Sequence, residues 1–440
     1  MMKHRLYIGG AWALSLRIGA ITVALCTNAL LTRLLTPQEA GTYFLITSLA
    51  SVAALTAQLG LGATAVRMIA EEVSLGREGR VCSIITRIGW YGGLSISVVT
   101  LGIISGLGRW LADTVFDAPL MGEVSVLIAL WVAAIATIGL LAEIFRGFHD
   151  IPYATLFGNF LTGFVCLILY TLMWMWKNSA SLEGILQLNL VSWLVSIALA
   201  WTLLRQKMPR HTKEEHVPRQ KLLHTAWPLW ISSLAILMLK QVDLWVVASY
   251  LSEEKVALYA AAARLVALVE LPLVLMNTVI PPFITSLYVQ GKKKTLQNML
   301  RATATLSSLP AIVIALVFWS FGKTLLSFVY GAFYHEGYTV LSILTLGYVV
   351  NVFTGPCGFA LMMTCHQRTF MTVSLFTSAL TIIGTVSVVQ KFGLIGIAFV
   401  TTIMMSLQNV FILVYTRRKL KLWTHVTFSL HNVKHMLLEK

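Results

Sequence analysis

LLTRLLTPQEAGTYFLI, residues 30–46, joins two apolar runs through one short polar turn. Thr36 is placed to cap a helix, Pro37 to occupy its first turn and Glu39 to close a capping box back onto Thr36. The stretch therefore reads as a helical hairpin. Residues 246–262, VVASYLSEEKVALYAAA, share the same plan. Leu251 falls on Leu35, Ser252 on Thr36 and Tyr259 on Tyr43, and Glu253 and Glu254 stand at the positive end of the next helix dipole. A hairpin written at the start of a chain and again halfway along it points to two similar halves.

Composition names the solvent. Of 440 residues, 57% are hydrophobic and 12% charged, and the mean hydropathy is +0.79. Soluble domains carry roughly 25% charged residues, so this chain has too little polar surface to face water on all sides and is read as a lipid-embedded protein. The net charge of +15 then orients loops and attracts anionic headgroups, and implies no nucleic acid. Cys26, Cys82, Cys166, Cys357 and Cys365 lie in or beside apolar runs without CxxC spacing or paired histidines. They are expected to be inert buried thiols, with no disulfide framework and no metal site.

A helix needs about 20 apolar residues to cross about 30 Å of hydrocarbon. That ruler gives twelve spans: 8–35, 41–62, 82–107, 123–142, 153–175, 184–204, 223–250, 256–282, 299–320, 337–360, 371–389 and 393–416. No long stretch alternates with period two, which excludes a β-barrel. The first span is read as uncleaved, because its apolar run is long and contains Arg17. With a cytoplasmic N-terminus, one side collects most of the Lys and Arg, in loops such as 205–221 and 292–294 and in the segment after 416. The other holds Arg33, Arg109, Lys177, Lys255, Lys323 and Lys391. The positive-inside rule thus sets both termini in the cytoplasm. Tryptophans such as Trp110, Trp174, Trp176 and Trp423 sit near span ends as an aromatic belt.

The longest polar break, LRQKMPRHTKEEHVPRQK (204–221), divides spans 1–6 from spans 7–12. The expected organisation is an N-terminal lobe over 1–204, a cytoplasmic linker over 205–222, a C-terminal lobe over 223–416 and a basic tail over 417–440. The fold class is all-α and polytopic, with two six-helix lobes as parallel repeats. Such repeats place a substrate site at their interface near the bilayer midplane.

The run R-x-L-T-P-Q-E-A-G-x-Y together with QLGLGATAVR (58–67) resembles the beginning of polysaccharide exporters of the MOP superfamily, which include Wzx-type flippases for O-antigen and other lipid-linked oligosaccharides. DLWVVASYL and LYAAAARL, with the later IPPF, within 243–283 are similar to spans seven and eight of that family. The resemblance implies the MATE-like MOP fold and a lipid-linked oligosaccharide substrate.

Charges inside spans single out candidate site residues, since a central Lys, Arg or Asp costs about 2.5–3.5 kcal/mol on insertion scales. Lys240 lies twelve residues before Ser252 and Arg264 twelve after it, so both fall roughly 15–18 Å from the outer turn. Asp243, at i+3 from Lys240, can neutralise it as an intrahelical pair or tune it in a hydrated cavity. Arg17 and Asn28, eleven residues apart, share a polar stripe on span one, although Arg17 can also snorkel to the interface. Arg87 reads as a snorkelling anchor. Glu270 is a candidate proton or cation site, or faces another helix. The resemblance adds that a basic residue ending a Y-x-x-A-x-R-L pattern lines the central cavity, which Arg264 matches, and that an early arginine on span one is typical. Ala257 and Ala260 to Ala263 offer span eight a surface for close packing, and Pro272, Pro281 and Pro282 can bend its lower part.

The resulting expectation is a flippase, not an enzyme, that carries polyprenyl-diphosphate-linked oligosaccharide by alternating access. Arg17, Lys240, Arg264 and Asn28 bind substrate, Asp243 and Glu270 couple or tune charge, and no cofactor is needed. The protein would act as a monomer in the bacterial inner membrane, alongside a glycan polymerase and other pathway membrane proteins. One alternative is a MATE-like cation-coupled drug antiporter, which would present acidic residues to its substrate. The others are a scaffold and a polymerase or ligase of the same pathway, the last disfavoured by short outer loops such as 108–122 and 321–336 that lack acid–base groups.

Overall fold

In hydrocarbon no water satisfies a backbone N–H or C=O, so each crossing segment must bond within itself as a helix. The computed structural model obeys that rule. It describes residues 2–427 except 178, 209–225, 228, 232, 235, 236 and 239, with the side chains of 2–14, Asn159 and Pro282 also left aside. Among the described residues, ten helices are long and apolar enough to cross a membrane. The chain forms two compact units, Met1–Gln241 and Val242–Lys440. Their border falls inside the span expected over 223–250, and the linker residues 209–222 lie outside the described ones.

The first unit contains α1 (Met2–Leu34), α2 (Pro37–Gln58), α3 (Leu61–Ser74), α4 (Glu78–Gly102), α5 (Ser125–Gly147), α6 (Leu161–Lys177) and α7 (Leu182–Lys207). The capping box between α1 and α2 is complete. Glu39 N–H donates to Thr36 Oγ1 at 3.3 Å, and Thr36 N–H donates to Glu39 Oε2 at 3.0 Å. The second Glu39 oxygen accepts from Leu182 N–H at 3.2 Å, tying this turn to the start of α7. The span expected over 41–62 stops earlier because Leu59 and Gly60 both take positive φ, after which α3 begins. α5 is the most apolar element, and α2, α3, α4 and α7 all pack around it.

The second unit contains α8 (Val242–Tyr250), α9 (Glu253–Val279), α10 (Pro281–Val289), α11 (Lys293–Tyr330), α12 (Tyr338–Thr354), α13 (Cys357–Met363) and α14 (Gln367–Leu420). α9 turns its small face, with Ala257, Ala260, Ala261 and Ala262 buried, toward α11 and α12. It runs unbroken through Pro272 and ends before Pro281. α11 is 38 residues long and contains Pro310 without interruption, so it extends well past the expected 299–320. α14, at 54 residues, holds both of the last two expected spans, which part at Gly393 with φ 53° and ψ −140°.

Two local expectations need correction. Ser252 has the extended backbone of Thr36, but its side chain makes no cap hydrogen bond, so the second hairpin copies the first in shape and not in capping chemistry. The thiols are not uniformly buried either. Cys166 and Cys357 are, whereas Cys26 is exposed on α1, where an apolar helix can face lipid, and Cys365 is exposed in the turn between α13 and α14.

Candidate functional site

In the first unit, Arg17 is exposed on α1, and Asn28, three turns further, is half-buried and donates Nδ2–H to its own helix at Ala24 O, 2.7 Å away. Lys240 is exposed in a turn formed with Gln241, where N–H groups reach back three residues to Leu237 and Met238. The turn interrupts the seventh span within its expected course. Gln241 holds it against α2 by accepting the Ser48 hydroxyl at 2.7 Å. Sequence reasoning passed over Gln241, although an uncharged amide next to a lysine inside an apolar run is a visible signal.

The continuous helix that one alternative, an intrahelical Lys240–Asp243 pair, relies on is broken by the turn at Lys240. An i,i+3 pair requires continuous helix, and here α8 begins only at Val242. In the second unit the Asp243 carboxylate instead accepts the Tyr259 hydroxyl at 2.7 Å and the Leu244 N–H at 2.9 Å. Tyr259 is the residue that echoes Tyr43, but the two hydroxyls play different parts, Tyr259 donating to a carboxylate and Tyr43 accepting from an amide. Tyr43 is stacked on Trp131 and its hydroxyl accepts from Asn189 Nδ2 at 3.3 Å.

Glu270, in the second half of α9, accepts Asn351 Nδ2–H from α12 at 3.0 Å. The Tyr348 phenol, on α12, is within electrostatic reach of both Asp243 and Glu270. The second unit thus links Asp243 with Tyr259 and Glu270 with Asn351 by hydrogen bonds, with Tyr348 in electrostatic reach of both acids. Tyr348 and Asn351 are further groups that sequence reasoning missed. A tyrosine and an asparagine three residues apart in an otherwise apolar span were the available signal.

Arg264 is half-buried on α9, within electrostatic reach of Tyr330 and Tyr334. Both phenols are buried, at 0% and 2% exposure, at the end of α11 and just beyond it. A guanidinium beside two phenols offers hydrogen-bond donors and one positive charge, which suits an anion. Asp243 and Glu270 suit a proton or a cation. Among the described residues no cluster of three His, Cys, Asp or Glu side chains is positioned to hold a metal ion.

The family model described as polysaccharide biosynthesis protein matches residues 8–288, and the MatE family model matches residues 228–387. No curated protein matches the sequence. Among solved structures, the chain is similar to an inward-facing multidrug resistance MATE family transporter of the MOP superfamily, with TM-score 0.78 and 14% identity over 94% of this chain and 98% of that one. It is also similar to the lipid II flippase MurJ in an inward closed conformation, with TM-score 0.70 and 15% identity over 96% of this chain and 90% of that one. A MOP superfamily transporter from Pyrococcus furiosus gives TM-score 0.63 and 15% identity, with 95% of each chain covered. At such identities the likeness is one of fold. The first family model spans well over half of the sequence, and the chain belongs to the polysaccharide biosynthesis protein family, as a multi-pass membrane protein with the MOP-superfamily transporter fold.

Proposed function

We propose that this protein is a flippase that moves a polyprenyl-diphosphate-linked oligosaccharide from the cytoplasmic to the outer leaflet of a bacterial inner membrane, for cell-surface polysaccharide synthesis such as O-antigen. The observation that carries the reading is Arg264, a cation kept inside an alanine-rich span of a polysaccharide-family protein. Holding a cation there costs about 2.5–3.5 kcal/mol on insertion scales, and a bound diphosphate offsets that cost. In this reading Arg17, Lys240 and Arg264 hold the diphosphate, Asn28 hydrogen-bonds near it, and rocking of two lobes exposes the site to either side in turn. The lobes are 1–204 and 223–416, joined by the linker 205–222, with 417–440 as a cytoplasmic tail. Both termini are cytoplasmic, the protein works as a monomer, and a glycan polymerase receives its product. Asp243 and Glu270 couple transport to a proton or cation.

The test is surface glycan in cells whose own copy is replaced by Arg264→Glu, with Arg264→Lys for comparison and membrane protein levels matched. Charge reversal is expected to abolish display and the lysine variant to retain part of it. Normal display with Arg264→Glu overturns the reading. The MatE match over 228–387 supports the antiporter alternative, which predicts drug resistance lost with Asp243→Asn while glycan display persists.

A further inference from the structure

We infer that a groove on the first unit holds the single apolar tail of a polyprenyl phosphate lipid; the choice of lipid rests on the flippase reading, and the groove does not. The groove has a volume of about 720 Å³ and lies wholly within the first unit. Its floor is one face of α5, with Thr137, Leu140 and Ile144, and its walls are α4 and α7. It runs along α4 from Ile85 to Ser97 and along α7 from Ile197 to Met208. At 1.5 Å per residue those stretches are about 16–18 Å long, close to one leaflet of a hydrocarbon core about 30 Å thick. Volume over length gives a mean cross-section of about 40 Å², wide enough for an apolar lipid chain; the choice of a polyprenyl chain comes from the charge at the groove's end and from the flippase reading.

Two glycines on α4 line the groove, and a third, outside its lining, seats α4 against α5. Gly92 is packed so closely that an added Cβ would stand 2.7 Å from Leu140 on α5. Gly89 and Gly93, also on α4, would place a Cβ with nothing within 4 Å. Glycines four apart in a membrane helix ordinarily let a second helix approach, but among the described residues this pair meets no neighbour and lines the groove instead. In a bilayer such a space fills with an apolar chain.

The end of the groove carries charge. Trp201 lines it, and the exposed Arg205 guanidinium stands 5.1 Å over that indole. Lys207, close by on the same helix, pairs with Asp150, and Arg87 adjoins the lining residues on α4. By the positive-inside reading of the sequence, this is the cytoplasmic end of the unit, where headgroups would lie. A tail lying along α4 and α7 therefore brings its phosphate to Arg205. This is a holding site for the tail in the leaflet where the substrate begins, separate from the residues proposed to bind the diphosphate during crossing.

The experiment places photoreactive benzoylphenylalanine at Trp90, an exposed aromatic residue lining the groove that is close to the probe in size, in the full-length protein, in phosphatidylcholine vesicles doped with equal amounts of polyprenyl phosphate and phosphatidylglycerol. Mass spectrometry of the adducts after irradiation is expected to show polyprenyl phosphate well above its share of the membrane. Arg205→Glu should lower that adduct roughly fivefold. Adducts in simple proportion to membrane composition, or an adduct indifferent to Arg205→Glu, overturn the inference. A second arm fills the groove with Gly89→Leu and Gly93→Leu together and reads surface glycan at matched protein level. Display should fall sharply, whereas Gly102→Leu, on the same helix in open space outside the groove, leaves it unchanged; normal display from the filled groove counts against the site. The arms separate the two readings. If Arg264→Glu spares export while the polyprenyl adduct persists, the diphosphate reading fails and the groove stands. If Arg264→Glu blocks export while the adduct tracks bulk composition, the groove fails alone.

Discussion

Gly60 and Asn189 show what a single residue decides in this protein. Gly60 sits at φ +72°, and a Cβ there would fall 2.3 Å from the carbonyl oxygen of Ala226. Gly60→Ala therefore meets both the left-handed penalty of about 1–2 kcal/mol and a backbone clash that no rotamer relieves. It is expected to lower the melting temperature in detergent, whereas Gly76→Ala, also at positive φ but in open space, shifts it less. Asn189 is buried where water cannot replace a lost partner. Its Nδ2 group donates to Tyr170 Oη at 2.8 Å and Ile185 O at 3.0 Å, and its Oδ1 accepts from Cys166 Sγ at 3.2 Å. Interhelical hydrogen bonds in membranes are worth about 0.6–1.7 kcal/mol each. Asn189→Leu should thus cost about 1–3 kcal/mol in mixed-micelle unfolding, more than Tyr170→Phe, which leaves the remaining bonds in place.

At the scale of elements, the segment after α14 acts as a strap. Trp423 N–H donates to Gln297 Oε1 at 3.0 Å, the Thr424 hydroxyl to Thr354 O at 2.7 Å, Val426 N–H to Phe353 O at 3.0 Å and Thr427 N–H to Thr305 Oγ1 at 3.1 Å. The strap thereby supplies partners to α11 and to the end of α12. Ending the chain at Leu420 should destabilise the second unit and raise hydrogen exchange at 350–356 while the first unit keeps its protection. His425, on the strap, is held below its ordinary pKa of 6.5 by burial and then by the charge of Arg301. A histidine depressed in the fold binds fewer protons there than when unfolded. Its contribution is complete above pH 6.5 and declines as pH falls through and below that value. Hydrogen exchange of the strap should rise on acidification across that window, and His425→Gln should flatten the response.

For the whole molecule, the proposed division of labour separates anion holding from coupling. Asp243→Asn is expected to remove the response of transport to an imposed proton or sodium gradient in proteoliposomes, while Arg17→Gln lowers uptake at every gradient. Equal loss in both variants, independent of gradient, would merge the two roles. Glu270 and Arg264 occupy different faces of α9 within the second unit, which is what two separable roles require. That separation comes from their spacing along the helix, six residues or about 240°.

Much of the fold was legible from residues 30–46 and from the apolar ruler. Hydrocarbon forces every crossing segment to bond within itself, so segment length, capping box and span order arise from local sequence. The candidate site was legible only as a set of charges. Where each polar group found its partner depended on which helices abut and on where the turn at Lys240 breaks the seventh span. Asp243 turned to Tyr259, Glu270 to Asn351, and Gly89 and Gly93 came to border a groove that no local pattern announces. Sequence alone determined that this chain crosses the membrane many times and keeps charge inside it, because those are costs incurred residue by residue. Tertiary structure alone decided what those charges touch, because in a low-dielectric interior a buried polar group takes whichever partner packing brings within about 3 Å.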